Sequence, residues 1–308
     1  MEGSLSLASA QSDSETGTTA LQSTQAQRWA QALILATLYS FPVLVCARNA
    51  TVADPDIWWQ MRTGQWILNH GRFPHTDPFS IGGAGKAWAA YSWLFDLVVF
   101  KLYQWLGLTG IVTYTAGMVV AITVALHRMV RRLYPDFTMG VLLTVVACVC
   151  MEHMWTPRSW LFTVLCFTIE IDILMHARRS GKKLGVWLLP LLFMFWANLH
   201  IEFLYGLAVL AILTTETVLA RRWNIGESRL DAGAMCAVLL ASSAATLVNP
   251  YGLGLYATGV PARNAAGRSG NGKRDDGNAV SRYRRLRSPA VQHCSRGGLN
   301  QNAPSPGI

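Results

Sequence analysis

The chain reads as an all-α protein, a polytopic transmembrane helical bundle of about seven spans. Three observations lead there. Of 308 residues 52% are hydrophobic, with a mean hydropathy of +0.27. Only 14% are charged, where a soluble domain carries roughly 25%. Apolar runs close to bilayer length recur between residues 29 and 248, and clusters of Lys and Arg stand at the ends of alternate runs.

Residues 1–28 are polar and rich in Ser, Thr and Gln. They lack a basic segment leading into an apolar core, so they form no secretory signal and are expected to be a disordered cytoplasmic leader. The transmembrane domain covers 29–256. Its first run, Trp29–Ala47, has 19 residues, which at about 1.5 Å per residue just suffices for a hydrocarbon core of ~30 Å. Pro42 would kink this helix without forbidding it. The further runs are Leu108–His127, Thr138–Met151, Trp160–Met175, Leu184–Ala197, Phe203–Ala220 and Ala232–Val248. Several fall short of twenty residues and must tilt or extend into flanking aromatics. Soluble helices would need a polar face, and these runs are apolar all round.

Orientation follows from the basic clusters Arg128/Arg131/Arg132, Arg178/Arg179/Lys182/Lys183 and Arg221/Arg222. An excess of Lys and Arg marks the cytoplasmic side. Pairs of spans separate the three clusters, as a common side requires. The opposite, external face then receives the loop 48–90, the turns near 151–159 and 198–202, and the Asn249–Gly252 turn. Tyr91–Leu106 is apolar but carries Asp96 and Lys101; a full crossing would break this alternation, so it is read as an interfacial or re-entrant helix, with an extra crossing as the rival.

The external loop is rich in chemistry. Asp54 and Asp56 flank Pro55, and paired carboxylates can hold a divalent cation or divide base and electrostatic duties. The same pattern also suits a solvated turn that caps the following helix. Trp58, Trp59, Trp66 and Ile67 recur near helical spacing, which predicts a juxtamembrane amphipathic helix over 57–69. His75 and Asp77 form a His-x-Asp pair suited to proton shuttling, or simply to an exposed loop. Arg158, at the start of a span, is fit for bidentate phosphate or carboxylate recognition, or for snorkelling to the interface. Glu152, His153, His200 and Glu202 fall on the same face, and ionisable groups at apolar helix ends turn towards a polar cavity. Glu170 and Asp172 lie deeper in their span. Six cysteines have neither metal-ligand nor dense disulfide spacing, and no phosphate-binding loop, dinucleotide fingerprint or nucleophile elbow occurs.

Taken together, Asp54-Pro55-Asp56-Ile57-Trp58-Trp59, the stretch from Gly64 and Trp66-Ile67 through His70-Gly71, Pro74 and Thr76-Asp77-Pro78-Phe79-Ser80, Pro157-Arg158, Trp196–His200 and Asn249–Gly252 resemble a group of bacterial polytopic membrane proteins. That group in turn is similar to the glycosyltransferases of the GT-C fold, of the polyprenyl- or dolichyl-phosphate-mannose-dependent type. The resemblance covers about residues 29–256. It implies a GT-C-like N-terminal half in a bacterial inner membrane, an external active site, a polyprenyl-phosphate-linked sugar as donor, Asp54 and Asp56 as catalytic or metal-binding acids, and Arg158 and His200 as phosphate contacts. His75 and Asp77 are the further substrate-binding candidates. Two departures stand out: Ile201-Glu202 replaces the small step expected after His200, and the further spans such enzymes carry are not present. A transporter or flippase component and a non-catalytic assembly subunit are the competing classes.

From residue 257 the composition changes abruptly to Gly, Arg, Ala, Ser and Pro, expected either as a disordered basic tail or as a product of a lost reading frame. Residues 257–308 hold nine basic and two acidic side chains, leaving the preceding 256 residues only about +2 of the formal +9. The excess that would suggest a nucleic-acid partner therefore sits in the tail, and the partner expected for the rest is the lipid bilayer.

Overall fold

The computed structural model describes residues 2–48, 54–83, 85–181, 184–223 and 230–258, with backbone alone for 2–23 and 257–258. The side chains of most of the leader and the basic tail from residue 259 lie outside the described residues.

Among the described residues the chain is helical. Five helices are long and apolar enough to cross a bilayer, the architecture of a multi-pass membrane protein. They are the Thr24–Arg48 section of α1 (Glu2–Arg48), α4 (Leu108–Leu133), α5 (Phe137–Met151) with the 3-10 turn after it, α6 (Trp160–Ser180) and α8 (Phe203–Trp223). Two of the seven expected runs form shorter apolar helices: a 3-10 turn at Leu184–Leu188 that leads into α7 (Leu189–Leu199), and α9 (Ala232–Ala245). The short α10 (Gly254–Thr258) follows. Large apolar side chains such as Leu142, Val149, Ile212 and Leu240 face outward, as lipid-facing surfaces allow.

Helix ends follow local chemistry. Asp136 caps α5 by accepting from the Met139 N–H at 2.7 Å, and Gly71 and Gly181 close α2 and α6 in the left-handed region, at φ of 60° and 69°. Arg131/Arg132, Arg178/Arg179 and Arg221/Arg222 occupy the last turns of α4, α6 and α8, where cations complement the helix dipole. These turns are tied together. Arg132 pairs with Asp172 at 2.5 Å, Arg178 with Glu216 at 2.5 Å, and Arg179 donates to the Leu133 carbonyl at 2.7 Å. The three basic clusters thus share one end of the bundle.

Between α1 and α4 the chain makes a helical hairpin, α2 (Asp56–His70) and α3 (Trp93–Leu106). Ile57, Met61, Gly64 and Ile67 recur at three- and four-residue spacing and bury one face of α2 against Phe95, Val99 and Phe100 of α3. Trp58 and Trp59 point outward. Gly64 permits the close approach, because a β-carbon there would overlap the Asp96 carbonyl. At 14 residues, about 21 Å of helix, α3 is shorter than a bilayer crossing.

Among the described residues two larger apolar cores result, beside a smaller cluster of Cys46, Val119, Cys148 and Trp155. Ile57, Phe95, Val99, Ile111 and Leu161 join α2, α3, α4 and α6; Leu174, Leu189, Phe193, Trp196, Phe203 and Met235 join α6 to α9. Helix α6 contributes to both, Leu161 at its start to the first and Cys166, Leu174 and Ala177 further along to the second.

Candidate functional site

The polar groups gather at the end of the bundle opposite the basic clusters. Arg158, just before α6, grips Asp54 through Nε to Oδ2 and through Nη2 to Oδ1 at 2.8 Å. Its third nitrogen, Nη1, meets Asp56 Oδ2 at 2.6 Å. The guanidinium therefore bridges both carboxylates of the Asp-Pro-Asp step, with its face stacked 4.9 Å from the Trp160 ring. The Asp56 backbone N–H donates to Asp54 Oδ1 at 3.0 Å, the turn geometry that Asp-x-Asp favours. Tyr114 of α4 donates to the Arg158 carbonyl at 3.1 Å and fixes the turn from behind.

The two acids are not equivalent. The Asp54 side chain is 7% exposed and that of Asp56 57%. Burial pushes the Asp54 carboxyl up, but the Arg158 hydrogen bonds and the Asp56 N–H outweigh it and hold the group below its usual value. Asp54 is a fixed anion that orients Arg158. Asp56 meets Arg158 through one oxygen and faces the open side.

A second polar group lies beside the first. His200 Nδ1 is 2.9 Å from the Thr163 hydroxyl and 3.3 Å from Glu202 Oε2, and Trp196 Nε1–H donates to the same hydroxyl at 3.0 Å. The hydrogen bond from His200 holds Glu202 below the ordinary carboxylate range. Tyr91 connects the groups: its ring is 6.3 Å from that of His200, and its phenol interacts electrostatically with Asp56, Arg158, Glu202 and Asp96. Burial is the main cause that raises the Tyr91 pKa, so it is a neutral hydroxyl able to donate.

His75 and Asp77 have other work. Asp77 accepts from the N–H groups of Phe79 and Ser80 at 2.8 and 3.1 Å and from the Ser80 hydroxyl, closing its own turn. His75 packs edge-on against Tyr251 at 5.6 Å, while its carbonyl accepts from the Trp88 N–H at 3.0 Å. Tyr251 accepts from the Ala90 N–H and donates to the Pro74 carbonyl, so the Asn249–Gly252 turn pins the loop. Glu152 and His153 are exposed, outside the Arg158 group.

Asn198 braces the site: its Nδ2 donates to the carbonyls of Met194 and Val248, and its Oδ1 accepts from Trp93 Nε1. Beside it, Trp93, Leu94, Met194, Phe195 and Val248 line an open apolar groove of about 460 Å³. Tyr91 and Thr163 were not marked by the sequence. Tyr91 sits in an aromatic stretch that reads as anchoring, and Thr163 lies inside an apolar run where threonine is ordinary.

For the divalent cation considered from the sequence, the donor set does not fit. Arg158 already neutralises the two carboxylates, and among the described residues no three His, Cys, Asp or Glu side chains converge as metal ligands. No protein-family model matches the chain, and no curated protein matches it.

Proposed function

We propose that this protein is a GT-C-like glycosyltransferase of the bacterial inner membrane that takes its sugar from a polyprenyl-phosphate carrier at the external face, its N-terminus lying in the cytoplasm. The observation that carries this reading is the bridge from Arg158 to Asp54 and Asp56, beside Tyr91 and the Thr163–His200–Glu202 group, at one end of an apolar bundle. The bias of basic residues towards the other end supports an external site, and the groove beside Asn198 suits an isoprenoid chain.

Each residue then has a task. Asp56 accepts the proton of the attacking sugar hydroxyl, because it is the accessible acid of the pair. Arg158, held by Asp54, stabilises negative charge developing on the departing lipid phosphate. Tyr91 and His200 orient the sugar or the phosphate by hydrogen bonding. No step requires a metal ion.

The test uses the purified chain in liposomes with a radiolabelled polyprenyl-phosphate sugar and an oligosaccharide acceptor. Asp56→Asn should lower transfer by at least 100-fold, within the range a lost general base produces, while donor binding persists. Unchanged transfer by a folded Asp56→Asn protein would remove the reading. One observation favours the transporter class: the buried Glu170 carboxyl in the middle of α6.

A further inference from the structure

Three acidic side chains lie within the long apolar helices α6 and α8: Glu170 and Asp172 of α6 and Glu216 of α8. Two of them are answered by arginines. Asp172 pairs with Arg132 and Glu216 with Arg178, both at the basic end. Glu170 is different. It is 0% exposed, and neither carboxyl oxygen has a hydrogen-bond partner.

Its position is central. Glu170 lies ten residues from either end of the 21-residue α6, about 15 Å along the axis from each. The pocket around it is built from two other helices. A β-carbon on Gly206 of α8 would come within 2.6 Å of Glu170 Oε2 and 2.5 Å of the Trp196 ring of α7, so the missing side chain at 206 makes the room the carboxyl occupies. Trp196 is itself fully buried, stacked on Phe193 at 5.5 Å.

Among the described residues no charge of the neighbouring helices pairs with it. On α4, Arg132 pairs with Asp172, and Arg128 and Arg131 stand near the basic end, Arg131 over the Phe137 ring; α7 has no charged residue; on α8, Glu216 pairs with Arg178, and Arg221 and Arg222 lie in the last turn. Cys166, one turn earlier on α6, is the titratable side chain that interacts with it electrostatically. A bare carboxylate in such surroundings costs several kcal/mol, whereas the neutral acid costs far less. A monovalent cation would need several oxygen ligands, and the walls supplied by Trp196 and Gly206 offer none.

We propose that Glu170 is a proton-binding site at the centre of the bundle, its carboxyl carrying a proton in the packed α6–α7–α8 junction. This inference does not rest on the transferase reading; it describes a second site in the chain, whose ligand is a proton.

A hydrophobic carbodiimide tests it, since such reagents add to protonated carboxyls in apolar surroundings. The acid's proton passes to one carbodiimide nitrogen while the carboxyl oxygen bonds to the central carbon. An oxygen-to-nitrogen acyl shift then gives a stable N-acylurea, and nothing leaves. The full chain in phosphatidylglycerol vesicles would be treated with dicyclohexylcarbodiimide and its adducts mapped by peptide mass spectrometry. We expect an adduct at Glu170 whose rate falls as pH rises and the acid is lost. No adduct at Glu170 in folded protein, or a rate indifferent to pH, overturns the proposal. In a parallel measurement, Glu170→Gln should keep the wild-type melting temperature at pH 7, because its neutral amide has the shape of the neutral acid. A drop of the kind produced by losing a buried ion pair would count against it.

Discussion

The grip of Arg158 on Asp54 makes a stability prediction at the scale of single residues. Asp54→Asn removes an almost buried charge and leaves the guanidinium short of a partner, so it should destabilise the protein by about 2 kcal/mol at pH 7. Asp54 and Glu202 both ionise below their ordinary range, Asp54 because Arg158 outweighs burial and Glu202 because His200 donates to it. Native values that are depressed mean stabilisation fully present above the unfolded value, about 4, and lost as pH falls through the lower native value. Thermal unfolding in detergent should therefore show Asp54→Asn far below wild type at pH 7, with the gap closing towards pH 3. A constant gap would reject the ion pair as its source. The sequence marked Asp54, Asp56, Arg158 and His200, and these converge; an acid or arginine at the end of an apolar run is conspicuous by its cost in lipid. It marked His75 and Asp77 equally, yet Asp77 closes a turn, because the same residue type serves backbone capping and catalysis alike. Thr163 gave no signal, since nothing distinguishes a threonine that bonds His200 from one that bonds its own helix carbonyl.

The hairpin of α2 and α3 depends on one close crossing. Gly64→Ala sets a methyl group into the Asp96 carbonyl and should cost about 1–3 kcal/mol, the usual penalty of overpacking. Because α2 begins at Asp56, the same change should weaken the Asp56–Arg158 contact, so transfer activity should fall along with the melting temperature. A Gly64→Ala protein as stable as wild type would mean that the helices separate without penalty. The long elements were legible because span length and hydrophobicity are physical requirements that leave a direct mark: the runs at Leu108, Trp160 and Phe203 all became helices of 21 residues or more. The amphipathic helix expected over 57–69 appears as Asp56–His70 for the same reason, its apolar face being periodic. The short runs were harder. Leu184–Ala197 divides into a 3-10 turn and α7 with Pro190 in its first turn, and hydropathy does not register where a backbone changes its winding.

On the scale of the whole molecule, the two ends differ in kind. One carries Arg132, Arg178 and Arg221 with their acidic partners and Arg179 on the Leu133 carbonyl, and the other the aromatic and carboxylate group. With the basic end in the cytoplasm, a cysteine replacing Ser80 in a cysteine-free background should react with a membrane-impermeant maleimide on intact cells. Arg222→Cys should react only after permeabilisation, and the opposite pattern would invert the orientation. Helix α7 and its C-cap run towards the carboxylate end with three committed residues in little more than a turn. Trp196 walls the Glu170 pocket, Asn198 is bolted to Trp93 and to the Val248 carbonyl, and His200 meets Thr163 and Glu202. Displacing Trp196 to open that pocket therefore strains both Asn198 bonds and shifts His200. The thermodynamic consequence is reciprocity: whatever factor a ligand at His200 imposes on the proton affinity of Glu170, the proton imposes on the affinity for that ligand.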